Sequence, residues 1–173
     1  MLLEYTVAVL GLISIVLNGF AMKEQDVIKA KILLGSAVLF IIPDFYIHGG
    51  IHGSIQSFII TIMCFLGAWE YKKAEKMVLY FIPFFSTYLL FGLQEVSGIV
   101  IVIASVTTSL ATMSKDPKTM KILLSVSTIC WGVYSYIYGA WFAFMFDVVG
   151  LIGLIIFFKN YKKKYSYVHE VSV

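Results

Sequence analysis

Apolar residues run along this chain in long blocks, each about one membrane thick, and charged residues collect in the gaps between them. The blocks lack the alternation of period two that transmembrane barrel strands show. They predict helices, because a segment in lipid must satisfy its backbone polar groups within itself. At roughly 20 residues per crossing, seven spans are expected, over about 5–22, 29–48, 51–70, 77–93, 97–113, 119–138 and 141–159. The stretch from Lys121 to Lys164 shows the pattern most plainly. It has basic feet, an uncharged corner at Tyr138, Gly139 and Ala140, and one acid, Asp147, at membrane depth. The opening, MLLEYTVAVLGLISIVLNGFAM, has the apolar core of a signal segment. It carries Glu4 where a positive flank belongs and shows no small-x-small cleavage site, so it reads as an uncleaved first span.

Composition agrees with an all-α, multi-pass membrane protein. Of 173 residues, 60% are hydrophobic and 13% charged, with a mean hydropathy of +0.91. A soluble domain carries about a quarter charged residues. All 13 basic residues are lysines. Lys23, Lys29 and Lys31 fall between spans one and two, and Lys72, Lys73 and Lys76 between three and four. Lys115, Lys118 and Lys121 fall between five and six, and Lys159, Lys162, Lys163 and Lys164 follow span seven. Seven crossings therefore put every lysine on one side. Lysine-rich loops stay cytoplasmic, so the N-terminus is expected outside and the C-terminus inside the cytoplasmic membrane. The net charge of +3 then reflects topology rather than a nucleic-acid partner. The expected partners are the lipid bilayer and a small polar solute, with a homo-oligomer left open.

The chain also repeats itself at an offset of ninety. Lys31-Ile32-Leu33-Leu34 falls on Lys121-Ile122-Leu123-Leu124, Tyr46-Ile47 on Tyr136-Ile137, and Gly49 on Gly139. Tyr71-Lys72-Lys73 falls on Tyr161-Lys162-Lys163, Asp26 on Asp116, and Ile13 on Ile103. The expected organisation is a three-helix unit over 1–73, a linker helix over 74–94, a second unit over 95–164 and a cytoplasmic tail over 165–173. Three helices are an odd number, so the linker span restores the orientation that the matching lysine feet require. Two parallel units joined by one helix is the repeat geometry of SWEET-type transporters, whose site lies near the midplane between repeats.

The segment Thr119–Lys164 closely resembles the C-terminal part of the YgjV-type family of bacterial inner-membrane proteins. The resemblance is carried by STICW (Ser127–Trp131), the corner Gly139, the acid Asp147 and the basic exit after Phe158. That family is in turn distantly similar to the SWEET and PQ-loop transporter group, which implies the same duplicated unit. No span of this chain contains a Pro-Gln pair.

Few polar residues lie at membrane depth. Asp147 stands first, since a charged side chain at a helix centre costs about 2.5–3.5 kcal/mol and such residues face a cavity or a partner. It reads either as a substrate ligand or proton-accepting group, or as a structural hydrogen-bonding group. Its repeat mate, Ser57, lies on a stripe of small residues, Gly53, Ser57, Thr61, Cys64 and Ala68, that suits close helix approach. Asp44 follows Pro43 in the outer half of span two and reads as an interface residue or a ligand. Its mate is Tyr134. Trp131, Tyr134, Ser135 and Tyr138 share one helical face, suited to a flat or sugar-like solute. Tyr138 and Trp141 also fit an interfacial aromatic belt. Gln56, the mate of Phe146, completes the candidate set. Asn18, Ser105 and Thr108 are polar but inexpensive, because Ser and Thr bond back to their own helix. Cys64 and Cys130 read as small core residues. His48 and His52 are four apart, but Gly49 and Gly50 interrupt the helix between them. No metal site, cofactor, phosphate loop, nucleophile elbow or zinc motif is expected.

These readings predict a solute transporter or facilitator and no enzyme. One alternative is a non-transporting receptor or assembly protein on the same scaffold. A remote one is an intramembrane aspartyl protease using Asp44 and Asp147 as a dyad, although neither aspartate follows a glycine.

Overall fold

The computed structural model describes residues 2–69 and 96–171. These residues are helical almost throughout. The six helices are α1 (Leu2–Lys23), α2 (Val27–Ile47), α3 (Ile51–Ala68), α4 (Val96–Met113), α5 (Pro117–Tyr138) and α6 (Trp141–Val171). Five of them, all but α4, are long and apolar enough to cross a membrane, and α4 is a shorter apolar helix. The expected span over 77–93, and with it the linker helix over 74–94, lies outside the described residues. Helix α6 continues to Val171, into the stretch expected as a tail.

Local chemistry sets the helix ends. The Asp26 carboxylate accepts hydrogen bonds from the Ile28 and Lys29 N–H groups at 2.9 and 3.0 Å and starts α2. Asp116 does the same for α5, accepting from the N–H and the hydroxyl of Thr119, both at 2.7 Å, with Pro117 in the first turn. Helix starts favour such side chains because their first N–H groups have no partner within the helix. The two Thr119 bonds hold the Asp116 carboxyl below the ordinary aspartate range. Gly49 and Gly139 follow α2 and α5 in left-handed backbone, with φ of 76° and 67°. The starts of α2 and α5, their aspartate caps, both positive-φ glycines and the starts of α3 and α6 all recur at an offset of ninety residues. No atom lies within 4 Å of the position a Cβ would take at Gly139, so Gly139→Ala isolates the conformational cost. It is expected to lower stability by about 1–2 kcal/mol, and Gly139→Asn by less, in thermal unfolding of the detergent-solubilised protein.

The described helices close a ring in chain order, each packed on the next, with α6 returning to α1. Helix α2 also touches α5 and α6 across the ring. Three contacts define one end of this bundle. Lys31 Nζ donates to the Gly67 carbonyl at 3.3 Å, Lys121 Nζ donates to the Ala21 carbonyl at 2.6 Å, and a Cβ on Gly67 would lie 2.7 Å from the Thr112 carbonyl. The C-terminal ends of α1, α3 and α4 therefore lie beside the N-terminal ends of α2 and α5. Ala68 lies at this end and Val96 at the other, so the chain between them starts and finishes on opposite sides of the bundle.

Lys31 and Lys121 depart from the expectation that they sit in the links. Helices α2 and α5 begin before them, and both are buried, at 3% and 1% exposure. Each lysine spans the packing with its apolar stem and gives its ammonium group to a carbonyl near a helix C-terminus. Those carbonyls lack partners within their helix and carry the negative end of its dipole. The two lysines differ for a reason. Helix α3 ends at Ala68, and Lys31 meets the Gly67 carbonyl in its last turn. Helix α6 runs past the matching residue Phe157, so Lys121 passes 5.6 Å from the Phe157 ring centre and serves α1 instead. Lys121→Met should strand the Ala21 carbonyl and cost about 1–3 kcal/mol. The exposed Lys118 changed to Met should cost little, and comparison of the two melting temperatures checks this.

Candidate functional site

The polar residues expected at membrane depth are buried where α1–α3 meet α4–α6. Asp147 is 4% exposed, on α6, and faces an internal cavity of about 40 Å³. Trp131, Ser57, Phe45, Thr108 and Ser127 contribute to its wall, which is otherwise mostly apolar. The space is large enough for water-sized molecules and well below the roughly 300–1,000 Å³ of a typical ligand pocket. Asp147 Oδ2 accepts from Ser135 Oγ at 3.3 Å, and the same hydroxyl lies 2.8 Å from the Trp131 carbonyl. A serine hydroxyl has one hydrogen, so the carboxyl shares it with a closer acceptor.

Above the cavity, toward the end opposite the lysines, two hydrogen bonds cross between the helix sets. Asp44 Oδ2 on α2 accepts from the Ala143 N–H of α6 at 2.9 Å. The Tyr134 hydroxyl on α5 accepts from the Gly53 N–H of α3 at 3.1 Å. Gly53 and Ala143 are each the third residue of their helix. The residues ahead of these helices, Gly50 and Ala140, have no side chain able to cap them. Each helix start is thus capped from the other set rather than locally, by the group a local Ser or Asp would otherwise supply. The two bonds correspond at the ninety-residue offset, since 44 matches 134 and 53 matches 143.

The remaining candidates are placed as follows. Asp44 and Tyr134 are buried, at 1% and 0% exposure, and take part in the crossed bonds rather than the cavity wall. Ser135 reaches the cavity through Asp147. Gln56 is buried at 4% but lies outside the wall. His48 Nδ1 lies 2.8 Å from the Asp44 carbonyl oxygen and 3.3 Å from its Oδ1. Oδ1 accepts no hydrogen bond. Asp44 and Asp147 make no hydrogen bond with each other, each carboxyl having its own partners. Among the described residues, no cluster of three or more His, Cys, Asp or Glu could hold a metal ion.

Sequence reasoning overlooked Phe45, whose ring stands 5.8 Å from both Trp131 and Tyr134 and closes an aromatic group over the cavity. Its one available signal was its place beside Asp44. It treated Thr108 as inexpensive. The Thr108 hydroxyl is bonded to that of Ser127, and both reach the Ala104 carbonyl, in the cavity wall. Asn18 Nδ2 donates to the Phe146 carbonyl at 2.8 Å and ties α1 to the turn of α6 that carries Asp147.

No curated protein and no solved structure matches the chain. A family of bacterial inner membrane proteins, Imp-YgjV, matches residues 5–164. With nearly the whole chain covered, and with apolar helices built to cross a membrane, the protein belongs to the YgjV family of multi-pass bacterial inner membrane proteins.

Proposed function

We propose that the chain is a small-solute transporter or facilitator, with its site in the crevice between two like-oriented three-helix units. In this reading α1–α3 and α4–α6 are the units, and residues 70–95 supply the seventh crossing that joins them. The lysine-bearing end faces the cytoplasm, which leaves the N-terminus outside. The carrying observation is the crossed pair of caps, Asp44 to Ala143 and Tyr134 to Gly53. Residue i of the first unit meets residue j+90 of the second, and residue j of the first meets residue i+90 in return, as two copies related by a two-fold axis along the membrane normal do. The packing of α1 on α6 and of α3 on α4 has the same reciprocity.

Asp147 supports a ligand role more than a structural one. A carboxyl is expensive at this depth, and a shared hydrogen at 3.3 Å returns little stability. The cavity beside it is too small for a solute, so the site becomes available only when the units part at one end. The crossed caps join the units at the outer end, and the bond from Lys121 to the Ala21 carbonyl joins them at the lysine-bearing end, so opening at either end must break one of these contacts. Uptake into proteoliposomes, screened against sugars, nucleosides and carboxylates, tests the reading. Uptake of none of them by protein that still binds one in a thermal-shift screen would replace it with the second reading, a receptor that does not transport. The small, mostly apolar cavity is the observation that favours this second reading.

A further inference from the structure

On the lipid-facing side of the α1–α6 seam lies a groove of about 260 Å³, separate from the inner cavity. Its floor is made by Gly19 and Gly153, which bring the two backbones so close that a Cβ on Gly153 would lie 3.2 Å from the Gly19 carbonyl. Val16 and Phe20 form one wall, Ile152 and Ile156 the other, and all four are at least 43% exposed. Lys23 stands at the mouth with its ammonium group 4.4 Å from the Phe20 ring centre. The groove therefore runs from apolar surface at membrane depth to a cation at the end where the lysines gather. On α6 the same face continues one turn beyond Ile156 to Lys159, which is exposed. From Val16 to Lys23 the helix rises about 10 Å, most of the roughly 15 Å of hydrocarbon in one leaflet.

The opposite seam, between α3 and α4, serves as an internal control. At the offset of ninety, Gly19 and Gly153 become Ser109 and Met63, and Lys23 becomes Met113. Ser109 Oγ and Met63 Sδ are 3.5 Å apart, so side chains fill the space that the glycines leave open. Open floor and cation occur together on one seam and are both missing from the other.

We propose that this groove binds one anionic phospholipid, an acyl chain lying along Gly19 and Gly153 and the phosphate meeting Lys23 and Lys159. The occupant follows from charge and place. The groove opens to the bilayer, its walls are apolar, and its mouth carries positive charge at headgroup level, where each lysine contributes about fivefold to binding of an anionic lipid. The site is independent of the solute crevice and joins the two helix sets from outside.

Native mass spectrometry of the purified full-length protein tests this, with phosphatidylglycerol and phosphatidylethanolamine of identical chains added in equal amounts. Phosphatidylglycerol should be retained about fivefold or more over phosphatidylethanolamine. Lys23→Gln with Lys159→Gln should remove that preference, and Lys118→Gln, at the same end but away from the groove, should leave it intact. Ile152→Trp, which fills the groove from an exposed wall, should reduce retention of both lipids, and Val16→Phe from the other wall serves if the first fails to fold. Equal retention of the two lipids by the unaltered protein would overturn the assignment. So would unchanged retention in the groove variants, or a loss with Lys118→Gln as large as with the double lysine variant.

Discussion

Asp147→Asn is expected to lower solute uptake in proteoliposomes by about tenfold or more, equivalent to about 1.4 kcal/mol, while moving the melting temperature only slightly. Asparagine has the shape of aspartate but can neither carry its negative charge nor take up and release a proton. The structure has little at stake in the exchange, because Asp147 takes only the hydrogen that Ser135 shares with the Trp131 carbonyl. A ligand meeting the carboxyl in the opened crevice would have much at stake. Ser135→Ala provides the contrast. It removes the bond to Asp147 without changing the carboxyl, so its effect on uptake should be smaller. Equal uptake by Asp147→Asn and the unaltered protein would take this residue out of the site, whatever the solute.

The second large effect concerns the crossed caps. Asp44→Ala removes the carboxylate from the start of α6 and should cost about 1–2 kcal/mol, as loss of a helix cap does. Tyr134→Phe leaves the Gly53 N–H without its acceptor and should cost about 1 kcal/mol. At about 2–4 °C per kcal/mol for a chain of this size, both are readable as melting temperatures. The pair carries more information than either single variant. Both bonds hold the same two helix sets together at the same end. Losing the first loosens the contact that makes the second worthwhile, so the double variant should fall short of the sum by about 0.5 kcal/mol or more. Strict additivity would mean two unrelated caps and would remove the closure on which the proposed crevice depends. The same variants should raise exchange of the Gly53 and Ala143 amide hydrogens.

The helices and their order were legible because lipid simplifies the problem. Apolar blocks of membrane length must be helices, and lysines mark one side, so α1–α3, α5 and α6 follow from hydropathy alone. The offset of ninety, read from letters such as Asp26 and Asp116, returns in the structure as shared cap positions and shared glycine turns. The partners of the polar groups were not legible. Asp44 and Tyr134 each serve a backbone N–H on a distant helix, and no local spacing records that a helix start lacks its own cap until the helix start itself is known. Lys31 and Lys121 were misplaced for the opposite reason. Treating each lysine as a surface marker ignores the long stem, which lets the charge reach a helix-end carbonyl while the residue is buried. Identity at both positions of the repeat was the available hint, since an exposed foot needs only some lysine nearby. Cavity size was beyond reach, because it depends on how Phe45 and Trp131 fill the interior.

The crossed caps also constrain how the protein is made. The Gly53 N–H waits for a hydroxyl that lies 81 residues further along the chain, and the carboxylate for Ala143 is synthesised 99 residues before it is needed. When α3 first enters the membrane its leading end is unfinished, in a medium that tolerates unpaired amides poorly. It stays so until α5 has been threaded beside it. The first three helices are therefore a substrate for assembly and not a finished module. Severing the chain in residues 70–95 should yield fragments that are degraded singly and survive together.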